Sequence, residues 1–168
     1  MAGPRRRTQA PTPPALGGIA IDGSNVIASG LGRAGQRLEL AVAWFRAWRP
    51  DLATSVFLDD STFLKCSEDA ATKLEQLCAD SNEQLRFVRC PLRSQADVHA
   101  LEDAVTRRAL LVSNDRFWDH EPLRRGAITV QFVLEGNAFR PYEEATWFRP
   151  SGGAQRVALR DLRSHAQT

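Results

Sequence analysis

The sequence predicts an α/β fold, a doubly wound three-layer sandwich in which helices cover both faces of a mainly parallel sheet. Two observations carry this expectation. Short apolar runs such as Ile19-Ala20-Ile21 and Ala109-Leu110-Leu111-Val112 are continuous rather than alternating, as strands covered on both faces require. Between such runs lie longer segments of helical periodicity, and strand-helix-strand order with helical crossovers produces parallel pairing. At 168 residues, 43% of them hydrophobic and 25% charged, the chain suffices for one core of ordinary size.

The elements follow in order. Residues 1–18 contain Pro4, Pro11, Pro13 and Pro14 among small and polar residues, too little apolar surface to offset the entropy of ordering, so a disordered basic tail is expected. The first strand spans residues 19–21. A helix is expected over residues 36–48, with Leu38, Ala41, Phe45 and Trp48 near one face, ended by Pro50. Strands over 54–58, 85–88 and 109–112 alternate with helices over 67–80 and 95–108. Residues 127–134 read as one further strand, with Ile128, Val130, Phe132 and Leu134 on one side and Thr129 and Gln131 opposite, a pattern suited to a position nearer a sheet edge. Beyond Phe139 the pattern is broken by Pro141, Pro150 and Gly152-Gly153, with a short last helix expected over 157–163. The expected organisation is a tail at 1–18, a domain at 19–142 and a C-terminal extension at 143–168 that packs on or trails it.

Composition narrows the function classes. No run approaches the roughly 18 apolar residues of a membrane span, and no apolar block follows the N-terminal arginines, so a cytoplasmic protein without a membrane partner is expected. Cys66, Cys78 and Cys90 lack close pairing and read as reduced packing residues; His99, His120 and His165 show no ligand spacing. The formal charge is +2, and setting aside Arg5, Arg6 and Arg7 of the tail leaves −1. Net charge therefore argues for no partner, and attraction to phosphate must come from local patches.

Functional groups in an open parallel sheet collect where strands end at their carboxyl edge. Asp22-Gly23-Ser24-Asn25 follows the first strand, with Gly23 expected to allow a sharp turn and a carboxylate, a hydroxyl and an amide projecting beside it. Taken alone, the motif also reads as an Asx turn or helix cap. Ser113-Asn114-Asp115-Arg116-Phe117-Trp118-Asp119 follows the strand at 109–112; on a helix, Asp115 and Asp119 would share a face and repel unless a cation lay between them. Ser94-Gln95-Ala96-Asp97 opens the preceding helix and also fits a capping box in which Asp97 reaches back to Ser94. Asp22, Asp97, Asp115 and Asp119 are thus expected at one sheet edge. Such a set suits a hard divalent ion, Mg²⁺ or Mn²⁺, able to activate water against a phosphodiester. Asp59-Asp60 also follows a strand, but a loop role is the preferred reading.

Ile-Asp-Gly-Ser-Asn-Val at 21–26, the Asp97 helix and Val-Ser-Asn-Asp-Arg-Phe-Trp-Asp at 112–119 together resemble the NYN branch of PIN-like nucleases, in particular the Regnase-type endoribonuclease domain. The resemblance covers roughly residues 18–142. It implies a PIN-like, Rossmann-like sandwich and Mg²⁺-dependent cleavage of single-stranded or loop RNA. It makes Asp22, Asp97, Asp115 and Asp119 the metal-site acids, with Asn25 and Asn114 as polar supports. Two differences stand out: Regnase-type domains carry two adjacent aspartates where this chain has Ala96-Asp97, and the sequence holds no CCCH zinc finger.

RNA would be gripped by arginines near the motifs, Arg33, Arg37, Arg93, Arg116, Arg124 and Arg125, with Ser24 and Asn114 as further substrate contacts and Phe117 and Trp118 for stacking. The leading expectation is therefore a metal-dependent ribonuclease in which Asn25 fixes the scissile phosphate and His120 is an auxiliary proton carrier at most. The alternative is a catalytically weak RNA-binding module regulated by a partner, with a regulatory protein or a second copy as the expected protein partner; a toxin-like PIN protein with a small antitoxin is a separate reading. A phosphatase or phosphotransferase is disfavoured because no Asp-x-Asp follows the first strand and no Gly-x-x-x-x-Gly-Lys loop is present.

Overall fold

The computed structural model describes residues 11–28 and 33–163. Of the disordered tail expected over residues 1–18, residues 1–10 lie outside them, but its last part is ordered: Leu16 is buried in the core and Gly18 opens the first strand, so the folded domain begins before residue 19. Residues 164–168, the end of the extension, also lie outside the described residues. Parallel strands β1 (Gly18–Asp22), β2 (Thr54–Asp59), β3 (Leu85–Cys90), β4 (Ala109–Val112) and β5 (Ile128–Val130) are joined by antiparallel β8 (Glu144–Phe148) and β9 (Ala154–Ala158) in one seven-stranded sheet. Its spatial order is β3-β2-β1-β4-β5-β8-β9. A separate hairpin pairs β6 (Phe132–Glu135) with β7 (Ala138–Pro141).

Helices cover both faces. Along β1 and β4, side chains alternate: Ile19, Ile21, Leu110 and Val112 join Leu38, Val42 and Phe45 of α2 (Ala34–Trp48) and Leu74 of α4 (Glu68–Ala79) in one core. Short α1 (Gly23–Ile27) adds Val26 and Ile27 to that side, and α3 (Asp60–Lys65) adds Phe63. Ala20 and Leu111 face the other way, against Ala96, Ala100, Leu101 and Ala104 of α5 (Ala96–Arg107). Three alanines on that stripe leave room for the larger side chains of the sheet, Phe57 and Leu111, in the same cluster. Each fully buried leucine or isoleucine stabilises the sandwich by about 1.5–3 kcal/mol. No helix among the described residues is long and apolar enough to cross a membrane.

The single strand expected over residues 127–134 is two. After β5 the Asn114 side chain takes over the role of a neighbouring strand: its Oδ1 accepts the Phe132 N–H at 2.9 Å. The chain then leaves the sheet, and Phe132 stacks on Phe139 of the hairpin (5.1 Å), which meets Phe45 of α2 (5.8 Å). The apolar alternation is kept because the hairpin lies over the same core. Nor is β5 near an edge, since β4 and β8 flank it.

The region of weak signal after Phe139 contains the end of β7 and two further strands, β8 and β9. Gly152 and Gly153, which read as breakers, form the β8–β9 turn with φ of +93° and +81°, a conformation glycine adopts without a Cβ penalty. The last helix, α6 (Leu159–Arg163), is shorter than expected because Val157 belongs to β9. The three cysteines are free thiols, and burial pushes Cys90 up to about 11.

Candidate functional site

β1 and β4 are hydrogen-bonded neighbours, yet the chain builds β2 and β3 between them. The strand order therefore reverses between these two, and the crevice beyond their carboxyl ends is where open α/β sheets place ligands. Asp22 is the last residue of β1, Asp59 the last of β2, and Ser113 follows β4 directly. The parallel register, with Asp22 beside Phe57 and Ile21 beside Val112, brings these strand ends to one edge.

Asp22 is 2% exposed. Its Oδ1 accepts the Asn25 N–H at 3.1 Å, which caps α1, and its Oδ2 accepts the Ser113 hydroxyl at 2.8 Å. The same Ser113 oxygen accepts the Asp115 N–H at 3.1 Å. Asn25 Oδ1 accepts the Asn114 N–H at 2.9 Å, tying the loops after β1 and β4 together a second time. Gly23 is needed for space: a Cβ there would lie 2.8 Å from Leu58, the Phe57 carbonyl and Val56. The sharp turn expected of it is not found, since Gly23 opens α1 and has no positive φ.

The β2 end is locked to the same network. The Asp59 N–H donates to Ser24 Oγ at 2.8 Å, and Asp59 Oδ1 accepts the N–H of Ala96, the first residue of α5, at 2.7 Å. A carboxylate from another strand therefore caps α5, where its charge also favours the positive end of the helix dipole. The capping box read in Ser94–Asp97 does not form: the Ser94 hydroxyl donates to the Pro91 carbonyl, and Asp97 Oδ1 accepts the adjacent Val98 N–H.

Asp22, Ser24, Asn25, Asp59, Gln95, Asp97 and Asp115 line one open cavity of about 250 Å³. Burial raises Asp22 from its ordinary 3.8 to about 7; the hydrogen bonds from Ser113 and Asn25 oppose the rise, and the charges of Asp97 and Asp59 add to it. Half of the Asp22 carboxyl groups are then protonated near neutrality unless a cation intervenes.

Three of the four expected acids share this cavity, and Asp119 does not. The stretch after β4 is no α-helix: Asp115 Oδ1 accepts the Phe117 N–H at 2.8 Å, Phe117 takes a left-handed conformation (φ +51°), and only a 3-10 turn follows at Trp118–His120. That turn carries Asp119 away, so the expected pairing of Asp115 and Asp119 on one helical face does not exist. His120 packs beside Phe117 and is not at the cavity. Asp59, read as a loop residue, takes the fourth place among the acids, while its neighbour Asp60 is bound to Arg89. Ser113 and Gln95 were also passed over. Asp59 has the same signal as Asp22, a carboxylate closing a buried strand, and becomes recognisable once β2 is known to lie beside β1.

Among the basic residues, Arg93 lines an adjoining cavity of about 390 Å³ that shares Asp59 and Gln95 with the acidic one. Arg116 lines a third cavity that shares Asp115. Arg33, the exposed residue before α2, and Arg37 line none of these cavities. Arg124 and Arg125 bind Glu121.

The acidic cavity offers carboxylate, hydroxyl and amide oxygens and no basic side chain, a donor set suited to a hard cation. Among the described residues, no three His, Cys, Asp or Glu side chains converge as a ready-made metal cage. Mg²⁺ does not require one, because it is commonly held by one or two carboxylates and keeps several waters. No known protein family matches the chain, and no curated protein is significantly similar to it.

Proposed function

We propose that this protein is a divalent-metal-dependent endoribonuclease of PIN/NYN type, cleaving phosphodiester bonds of single-stranded or loop RNA. The observation that carries the reading is the meeting of Asp22, Asp59, Asp97 and Asp115 around one open cavity at the point where strand order reverses. A PIN-like form of the sandwich is supported by the order β3-β2-β1-β4-β5 and by the two motifs on the loops after β1 and β4.

In this reading one or two carboxylates of the set Asp22, Asp59, Asp97 and Asp115 would hold Mg²⁺ or Mn²⁺ directly and the others through its waters; the ion would supply a Lewis acid beside the scissile phosphate and lower the pKa of a water. The remaining work belongs to the chain. Ser113 and the Asn25 N–H hold the Asp22 carboxylate in one orientation. The bond between Asn25 and Asn114 keeps the two loops at fixed separation, so the acids on them need not reorganise when substrate arrives. Asp59 is oriented by the α5 N–H it accepts. Arg93, in the cavity that shares Asp59, and Arg116, in the cavity that shares Asp115, would take the flanking phosphates of a strand crossing the site.

The test is cleavage of short single-stranded RNA with Mn²⁺, Mg²⁺ or EDTA, comparing wild type with Asp22→Asn and Asp115→Asn proteins of native fold. Cleavage by wild type only with metal, lost in both variants, is expected; cleavage unaffected by EDTA sinks the reading.

A second reading is favoured by one observation, the lack of three converging ligands among the described residues. It makes the chain a catalytically weak RNA-binding module regulated by a partner. Calorimetric titration with Mn²⁺, alongside RNA binding in EDTA, separates the two: RNA binding without metal binding or turnover selects the second.

A further inference from the structure

The cavity that shares Asp115 with the acidic site has the opposite character. About 300 Å³ in volume, it is walled by Trp118, Phe148, Arg116 and Arg156, with Thr129, Gln131 and Thr146 supplying polar groups. That volume lies at the small end of ligand pockets, which run from roughly 300 to 1,000 Å³. A strand entering it would place one nucleotide there, not several.

Trp118 is the informative residue. It is 62% exposed, among the largest apolar exposures in the molecule, yet it is held in place. The Arg124 guanidinium lies 4.6 Å from its ring and 4.9 Å from the Phe148 ring. Arg124 is itself almost buried and fixed by Glu121 at 2.8 Å and by the Phe117 carbonyl. An indole braced by a buried cation, while most of its surface stays in water, has already lost its rotamer freedom without gaining full burial. Stacking a flat ring against it then costs little further ordering.

The polar groups are also set in place. Gln131 Nε2 donates to the Asn114 carbonyl at 3.1 Å, which fixes the amide. Arg116 and Arg156 are exposed, and neither pairs with an acid among the described residues. The pocket therefore combines an aromatic face, a fixed amide, two hydroxyls and two unpaired guanidinium groups, reached directly from Asp115.

We propose that this pocket is a nucleotide subsite of the acidic centre: the base next to the scissile bond stacks on Trp118, and Arg116 and Arg156 hold its phosphates. Resting on the ribonuclease reading for its direction, the subsite supplies the register of cleavage by fixing one base in the cavity that shares Asp115 with the acidic site. It also uses β8 and β9, which lie beyond the motif-bearing part of the chain.

The experiment measures binding and cleavage separately. A fluorescein-labelled single-stranded RNA hexanucleotide is titrated in EDTA against wild type, Trp118→Ala, Trp118→Phe and Arg156→Gln, with thermal unfolding as the check on fold. Trp118→Ala is expected to weaken binding by about tenfold, the effect of losing one stacked base. Trp118→Phe is expected to recover most of it. Arg156→Gln is expected to weaken binding and to reduce the salt dependence by about one counterion. In Mn²⁺, Trp118→Ala is expected to raise KM far more than it lowers kcat. Wild-type affinity in both Trp118→Ala and Arg156→Gln overturns the subsite, even where metal-dependent cleavage is present. Trp118-dependent binding by a protein that never cleaves supports the subsite and overturns the nuclease reading instead.

Discussion

The Ser113 hydroxyl donates a 2.8 Å hydrogen bond to Oδ2 of Asp22, a residue 91 positions earlier in the chain. Its oxygen also accepts the Asp115 N–H, so one side chain fixes both the buried carboxylate and the backbone from which a second acid projects. Ser113→Ala removes both bonds and is expected to cost about 1–3 kcal/mol of stability. It also removes a contact that holds the Asp22 pKa down, so any activity that needs ionised Asp22 should begin at higher pH than in wild type. Parallel urea titrations and pH–rate profiles check this; a pH profile that does not move would show that Ser113 does not tune Asp22.

Asp22 itself opposes folding at neutral pH. Its folded pKa, about 7, lies above its ordinary 3.8. Below about pH 4 both states are protonated and nothing is lost; between about pH 4 and 7 the unfolded state ionises while the buried carboxyl keeps its proton, so stability falls, and above 7 both are ionised and the loss is complete. The full cost above pH 7 is on the order of 2–4 kcal/mol. Asp22→Asn, which can still accept from Asn25 and donate to Ser113, is therefore expected to be the more stable protein at pH 8 and to match wild type near pH 4. Denaturant unfolding across that range measures the difference, and an Asp22→Asn protein less stable at pH 8 contradicts it.

Asp59 has two separable roles. Asp59→Asn keeps an oxygen for the Ala96 N–H but loses the charge; Asp59→Ala loses both. The alanine variant is expected to lose about 1 kcal/mol as α5 loses its cap, and the asparagine variant much less, while both lose activity. Equal stability loss in the two variants would show that capping is not what Asp59 contributes.

Asp119 should be dispensable. Because the 3-10 turn at Trp118–His120 carries it away from the acids, Asp119→Ala is expected to retain cleavage within about twofold of wild type, a difference of under 1 kcal/mol. A loss as large as that of Asp115→Asn would require this loop to rearrange on binding.

Gly23 is expected to tolerate no side chain. A Cβ at 2.8 Å from the Phe57 carbonyl and from Val56 and Leu58 forces β1 and β2 apart, and Gly23→Ala should cost about 1–3 kcal/mol. Chemical denaturation tests it; an unchanged midpoint would place α1 elsewhere.

The parallel core was legible because its strands are buried on both faces and read as unbroken apolar runs, as Ala109–Val112 does. The antiparallel strands were not. In β8, Glu144 and Thr146 are less buried than Ala145 and Trp147, and in β9 only Val157 is fully buried, leaving too little apolar signal beside two prolines and two glycines. The break at Gln131 was hidden because both halves bury the same side into one core. At the site, Asp22, Asp97 and Asp115 were found from position after or beside a strand. The error over Asp119 came from assuming a helix where Phe117 takes a positive φ, and Asp59 was missed because no local pattern tells which strand lies next to β1.

The proposed nuclease needs Asp22 and Asp115 together at one metal-dependent site. The most direct measurement is the rate of single-stranded RNA cleavage in Mn²⁺ by wild type, Asp22→Asn and Asp115→Asn, each verified to unfold cooperatively. Loss of at least about 100-fold in both variants, equivalent to roughly 2.7 kcal/mol of transition-state stabilisation, is predicted. Undiminished cleavage by both variants would contradict it.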